Sequence, residues 1–108
     1  MNPDIKKEWC ERLESGKDTQ IQNRLHNKDG FCCLGVLTDI YIQKHPGERW
    51  LESENGYYYD GNSILLPSKV SHWAGLSFCP CIDDVSLADL NDQGKTFKEI
   101  SLLIRENL

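Results

Sequence analysis

The segment from Phe31 to Lys44 constrains this chain more than any other. Phe31, Cys32, Cys33, Leu34, Val36, Leu37, Ile40 and Tyr41 cover most of a helical circumference. A helix that is apolar nearly all round must be buried, so a helix over residues 31–44 is expected at the centre of the fold. Asp29 is expected to cap it, and Pro46-Gly47 closes it. Gly35 costs about 1 kcal/mol against alanine within such a helix, a cost that close approach of another backbone would offset. A fully buried strand through Phe31–Leu37 is the alternative that periodicity leaves open.

Other helices are expected around it. Asn2 and Pro3 suit a helix start and Gly16 a left-handed stop, which predicts a helix over 3–15 with Ile5, Trp9 and Leu13 on one stripe and Cys10 beside it. Pro67 opens a short helix over 68–74 that Gly75 ends. A helix over 84–92 carries Val85, Leu87, Ala88 and Leu90. The last, over 97–107, has Thr96 and Glu99 at capping-box spacing and buries Phe97, Ile100 and Ile104.

Strand signals are weaker. Thr19–Leu25 reads as a weak edge strand, and His26–Gly30 as a turn. Gly56–Leu66, with Asp60-Gly61 inside it, reads as a β-hairpin. In it Tyr57 and Tyr59 share a face and Tyr58 points the other way. The expected architecture is one α+β domain over 1–108, a small antiparallel sheet centred on that hairpin and packed by about five helices.

The chain has 108 residues, 17 acidic against 12 basic, a net charge of −5 and 39% hydrophobic residues. That length and apolar content suit a single core without disulfides or metal, and argue against a disordered tail. The acidic balance counts against nucleic-acid binding, which needs clustered Lys and Arg. No stretch is long enough to span a bilayer, and the first residues lack a signal-peptide core, so a cytoplasmic location is expected.

The five cysteines are Cys10, Cys32, Cys33, Cys79 and Cys81. A zinc site would have to draw on Cys32, Cys33, Cys79 and Cys81. Adjacent cysteines and a Cys-Pro-Cys run both fall short of the two-residue separation that lets paired thiolates meet one tetrahedral ion. Cys32 and Cys33 are therefore expected as small core residues, and no cofactor is expected. His26 and His45 fall in polar turns and are expected in solvent, whereas His72 adjoins Trp73. No nucleophile elbow, phosphate loop or dinucleotide fingerprint is present. Asp83, Asp84, Asp89 and Asp92 suit helix caps and a solvated face, and Asn91-Asp92-Gln93-Gly94 a helix stop. The aromatic set Trp50, Tyr57 and Tyr59 is the candidate recognition surface, because tyrosine offers a large contact area with a polar end.

Trp9, Leu13, Ser15-Gly16-Lys17, Gln20 and Leu25 lead into Cys32-Cys33-Leu34-Gly35-Val36-Leu37. Leu66-Pro67, Val70, Trp73 and the ending Leu90-Asn91-Asp92-x-Gly94-x-x-Phe97-x-x-Ile100 follow. Together they resemble a group of small proteins of phages, prophages and other mobile elements. The resemblance implies an accessory protein and transfers no catalytic residue. The expected function is non-enzymatic binding of a protein partner or small ligand, with self-association left open. The alternatives are a small cysteine- or metal-dependent enzyme and a zinc-stabilised structural module.

Overall fold

The computed structural model describes all 108 residues. It is an α+β fold of five helices, a four-stranded antiparallel sheet and a separate two-stranded hairpin. No helix is long and apolar enough to cross a membrane.

Helix α1 (Pro3–Glu14) starts as its sequence dictates, with the Asn2 side chain accepting from the amides of Asp4 and Ile5. Its stripe of Ile5, Trp9, Cys10 and Leu13 is buried. The Trp9 indole N–H donates to the Cys33 carbonyl at 2.9 Å, so the largest core side chain leaves no orphan donor. Helix α2 (Cys33–Lys44) is the expected hub: every residue from Cys33 to Tyr41 is buried. It begins later than expected. Cys32, not Asp29, is the cap, its Sγ accepting from the Gly35 amide at 3.4 Å.

Gly35 meets the close approach that its helical cost requires. A Cβ added there would lie 1.9 Å from the Leu25 carbonyl oxygen, which also accepts from the Cys32 amide at 3.0 Å. The segment 19–25 is thereby pressed against α2, and this explains why it is not a strand. Only Gln20 makes an isolated bridge, to Phe31, and Ile21 and Leu25 point inward as anchors.

The expected turn at His26–Gly30 is itself a tight hairpin of β1 (His26–Asn27) and β2 (Gly30–Phe31). The Asn27 side chain closes it by accepting from the amides of Asp29 and Gly30. The larger hairpin is shifted from its expected place. Strand β3 (Leu51–Ser53) pairs with β4 (Gly56–Tyr58) around Glu54-Asn55, and β1 joins β4 through His26 and Tyr57 to give the order β2-β1-β4-β3. The Asp60-Gly61 turn exists, with both residues at positive φ, but supports one bridge, Tyr59 to Asn62. Residues 63–66 do not continue as a strand because the Ser63 carbonyl is taken by the Leu25 amide.

Helix α3 (Ser68–Ala74) matches its expected bounds and ends on left-handed Gly75. The expected helix over 84–92 is shorter. Strands β5 (Cys81–Ile82) and β6 (Val85–Ser86) form a hairpin whose two turn residues, Asp83 and Asp84, have φ of 51° and 66°. Two consecutive positive φ values define the hairpin turn that matches strand twist, and aspartate tolerates them, so these carboxylates serve a turn. Helix α4 (Leu87–Asp92) then starts from Ser86 as its cap. Helix α5 (Phe97–Asn107) carries the expected capping box, with both Thr96–Glu99 bonds formed.

Asn91, expected as a surface stop signal, is fully buried. Its Oδ1 accepts from the Cys33 amide at 3.2 Å and the Gln20 side chain at 2.8 Å, and its Nδ2 donates to the Ile21 carbonyl at 2.7 Å. It satisfies a free amide at the start of α2 from the far end of the chain.

Helices α1 and α5 are clasped at the surface by Glu14, which accepts from Arg105 at 2.8 and 2.9 Å and from the Ser101 hydroxyl at 2.8 Å. The Arg105 and Ser101 hydrogen bonds hold the Glu14 carboxyl down to about 2. A carboxyl depressed in the folded state contributes stability above its ordinary pKa and loses it as pH falls through the folded value. Glu14→Gln should therefore be less stable than the parent at neutral pH, with the gap closing between about pH 5 and pH 2 in urea titrations. Comparing the two proteins cancels Glu99, whose carboxyl is also lowered by the Thr96 amide. Gly35→Ala should lose about 3 kcal/mol in urea unfolding or fail to fold. Gly16→Ala, at φ of 74° with open space around it, should lose only about 1 kcal/mol.

Candidate functional site

The three expected binding aromatics do not form one exposed surface. Trp50 and Tyr57 join a cluster built around His26. The His26 ring stacks on Phe31 with centroids 3.9 Å apart and on Tyr57 at 4.6 Å, with Trp50 tilted at 5.0 Å. His26 Nδ1 lies 2.7 Å from the Gly30 carbonyl, which can only accept, so the proton sits on Nδ1. His26 is thus a half-buried hairpin residue and not the solvated one expected.

Below this cluster, Asp39 of α2 collects three donors. Its carboxylate accepts from Arg12 Nη1 at 2.6 Å, Gln43 Nε2 at 2.7 Å and Trp50 Nε1 at 2.9 Å. Arg12 also makes a bidentate pair with Asp18 and lies 5.3 Å over the Phe31 ring. Burial disfavours the guanidinium charge, but the hydrogen bonds to Asp18 and Asp39 outweigh it and raise the Arg12 pKa. Trp50 is consequently a structural anchor: its polar end is consumed by Asp39 and its ring packs on the core.

Tyr59 is corrected more strongly. It is 4% exposed and packs against Tyr41, so its ring cannot meet a partner at the surface. Its hydroxyl is buried without a hydrogen bond of good geometry. Burial, followed by the nearby Glu48 and Tyr41 side chains, pushes the phenol well above its ordinary pKa.

The cysteines divide cleanly. Cys10, Cys32 and Cys33 are buried, and the thiols of Cys10 and Cys33 donate to the Ser101 and Leu87 carbonyls at 3.6 Å. Burial raises the Cys32 pKa to about 11 and moves Cys33 further in the same direction. Cys79 is half-buried and Cys81 exposed. No three His, Cys, Asp or Glu side chains converge as a metal-ligand set.

The concavity with the most room lies elsewhere, between the end of α2 and α3. It is an open groove of about 970 Å³, lined by Tyr41, His45, Trp73, Leu76 and Phe78 with Glu48, Ser68, Lys69, Ser71 and His72. His45 does not float in solvent: its ring stacks on Tyr41 at 3.9 Å, and Trp73 stands edge-on to both, at 5.2 Å from Tyr41 and 5.7 Å from His45. His45 Nδ1 lies 2.7 Å from the Tyr41 carbonyl, so Nδ1 carries the proton and Nε2 is left as an acceptor. Phe78 is 63% exposed at the rim. Lys69 and Glu48 pair at 3.7 Å. The groove serines direct their hydroxyls away from histidine, Ser68 to Asp60 and Ser71 to the Ser68 carbonyl. The arrangement can hold a ring and a polar group together. It does not assemble a serine–histidine pair.

The sequence profile of a domain of unknown function, DUF8296, matches residues 1–108. The chain belongs to this family. No curated protein and no solved structure matches it. In this DUF8296 chain the sequence did not reveal the groove because its two walls, residues 41–48 and 68–78, lie apart in the chain: Tyr41 and His45 at helical i, i+4 spacing and the Ser71-His72-Trp73 run were the local signals.

The Asp39 cluster separates structural from recognition roles. Asp39→Ala should lose about 3 kcal/mol, because it takes the shared acceptor from Arg12 Nη1, Gln43 Nε2 and the Trp50 indole N–H, although Asp18 still holds the rest of the guanidinium. Trp50→Phe, which removes one donor and keeps an aromatic ring, should lose about half as much. Urea unfolding of both variants measures the difference.

Proposed function

We propose that this DUF8296 chain is a non-enzymatic binding module that holds a small organic ligand, a flat ring bearing a charged or hydrogen-bonding group, in the α2–α3 groove. One observation carries it: the Tyr41–His45–Trp73 ring assembly forms one side of an open groove of about 970 Å³, a volume within the range of small-molecule sites. Stacked and edge-on rings already in contact form a pre-organised wall, so a ligand ring packing against that wall costs little rearrangement. The His45 Nε2 acceptor and the Glu48–Lys69 pair supply polar partners for the ligand's head group. The pair is about half exposed, with Lys69 the more open member, so a charged ligand group can displace Lys69 at modest cost.

The hydroxyl placement of Ser68 and Ser71 favours binding over catalysis, as does the sequestration of three thiols in the core. Buried free thiols also support action in a reducing compartment, the cytoplasm. The likeness of the Cys32–Leu37 run and the Leu90–Ile100 ending to small proteins of phages and mobile elements supports an accessory role in such an element.

The test is a screen of small ring-bearing acids and amines by NMR on isotope-labelled protein. Binders should move the Trp73 indole and His45 ring signals, and Phe78→Ser should weaken them about tenfold by removing the exposed rim. Shifts confined to Trp50 and Tyr57, or binding untouched by Phe78→Ser, would place recognition elsewhere and remove this proposal.

A further inference from the structure

The two cysteines outside the core sit on a braced loop. Pro80 between them is buried, and its carbonyl accepts from the Leu87 amide at 2.9 Å, which ties the middle of the tripeptide to the start of α4. Cys81 begins β5 and pairs with Ser86, which fixes the other side. From this braced backbone the Cys81 thiol turns back along the chain and donates to the Cys79 carbonyl at 3.3 Å. Desolvation, then the charge and hydrogen bond of Cys79, then Asp84 and Asp89, raise the Cys81 pKa, so the attacking thiolate becomes more abundant, and exchange faster, as pH rises.

We propose that Cys79 and Cys81 form a reversible dithiol–disulfide site whose co-substrates are low-molecular-weight disulfides of the glutathione type. Deprotonated Cys81, the more exposed thiol, attacks one sulfur of glutathione disulfide. The new bond is a mixed disulfide, and the departing glutathione thiolate takes up a proton. Deprotonated Cys79 then attacks Sγ of Cys81, closing the Cys79–Cys81 bond and releasing the second glutathione. The chain loses two electrons and two protons, and one disulfide becomes two thiols. The second step is intramolecular between residues two apart on a braced loop, so it outruns attack by a second molecule.

Geometry also sets the reverse direction. A bond between residues only two apart, around a proline whose carbonyl is held, closes a small and strained ring. Strained, exposed disulfides have higher potentials and are reduced readily, which makes this a labile bond and not a structural one. Cys10, Cys32 and Cys33 take no part, since each is buried apart from solvent. The inference rests on the loop alone and does not depend on the groove having a ligand.

The experiment equilibrates the reduced full chain with glutathione and glutathione disulfide at varied ratios, quenches with an alkylating reagent, and reads intact and peptide masses. The parent protein should pass in one two-electron transition to a species lighter by two hydrogens. The cross-link should map to Cys79 and Cys81, and added glutathione should reverse it. Cys79→Ser should instead accumulate a single glutathione adduct on Cys81, with unchanged far-UV circular dichroism. Persistence of the parent as free thiols at every ratio would overturn the proposal. So would accumulated glutathione adducts without hydrogen loss, a cross-link mapping to any other pair, or the same hydrogen loss in Cys79→Ser.

Discussion

The backbone contact between Gly35 and Leu25 is one of the two tightest approaches in the molecule, matched only by Gly30 against Thr19. It brings an irregular segment against a helix that is buried on all sides, closer than any side chain would permit. Because α2 has no exposed face through Tyr41, the elements packed on it must close round it from all sides. Helix α1 covers it through Trp9, segment 19–25 through Leu25, α4 through Leu87 and α3 through Val70. Helix α5 reaches the same core through Ile100 and Ile104 while its outer face is held to α1 by Glu14. The small sheet is a consequence of this arrangement. Its strands are two or three residues long and lie where the chain reverses around the hub.

A hub buried this completely raises a problem for its polar groups, and two side chains solve it. Asn91 satisfies the first free amide of α2 and links it to Gln20 and Ile21. Asp39, midway along the helix, gathers Arg12, Gln43 and Trp50. Each joins segments remote in sequence, and each would leave costly orphans if removed. With its beginning and middle thus covered, α2 emerges only in its last turn. There Tyr41 and His45 form one wall of a groove that α3 completes.

That geometry separates the chemistry of similar residues. Aromatic side chains around His26 are spent on the hairpins, while those around His45 line open space. Three thiols are held in the core with raised pKa values, and two stand on an accessible braced loop. Residue type alone does not distinguish members of either set. What distinguishes them is whether the packing of remote segments closes over each one.

Four of the five helices were legible from local chemistry, and the bounds of α3 and α5 were legible to the residue. Proline starts, glycine stops and the Thr96–Glu99 box act within one turn, so sequence suffices to place them. The burial of Cys32–Tyr41 followed from the all-round apolarity of that segment, and the close approach at Gly35 from the cost of glycine in a helix. The strands were less legible because pairs of two or three residues carry too little periodicity to register. The Asp83-Asp84 turn was hidden for a related reason, since paired aspartates serve a hairpin and a helix start equally well. The groove, the Asn91 knot and the burial of Tyr59 belong to tertiary structure alone. Each depends on which remote segment arrives beside it, and arrival is decided by how all the elements share the surface of α2.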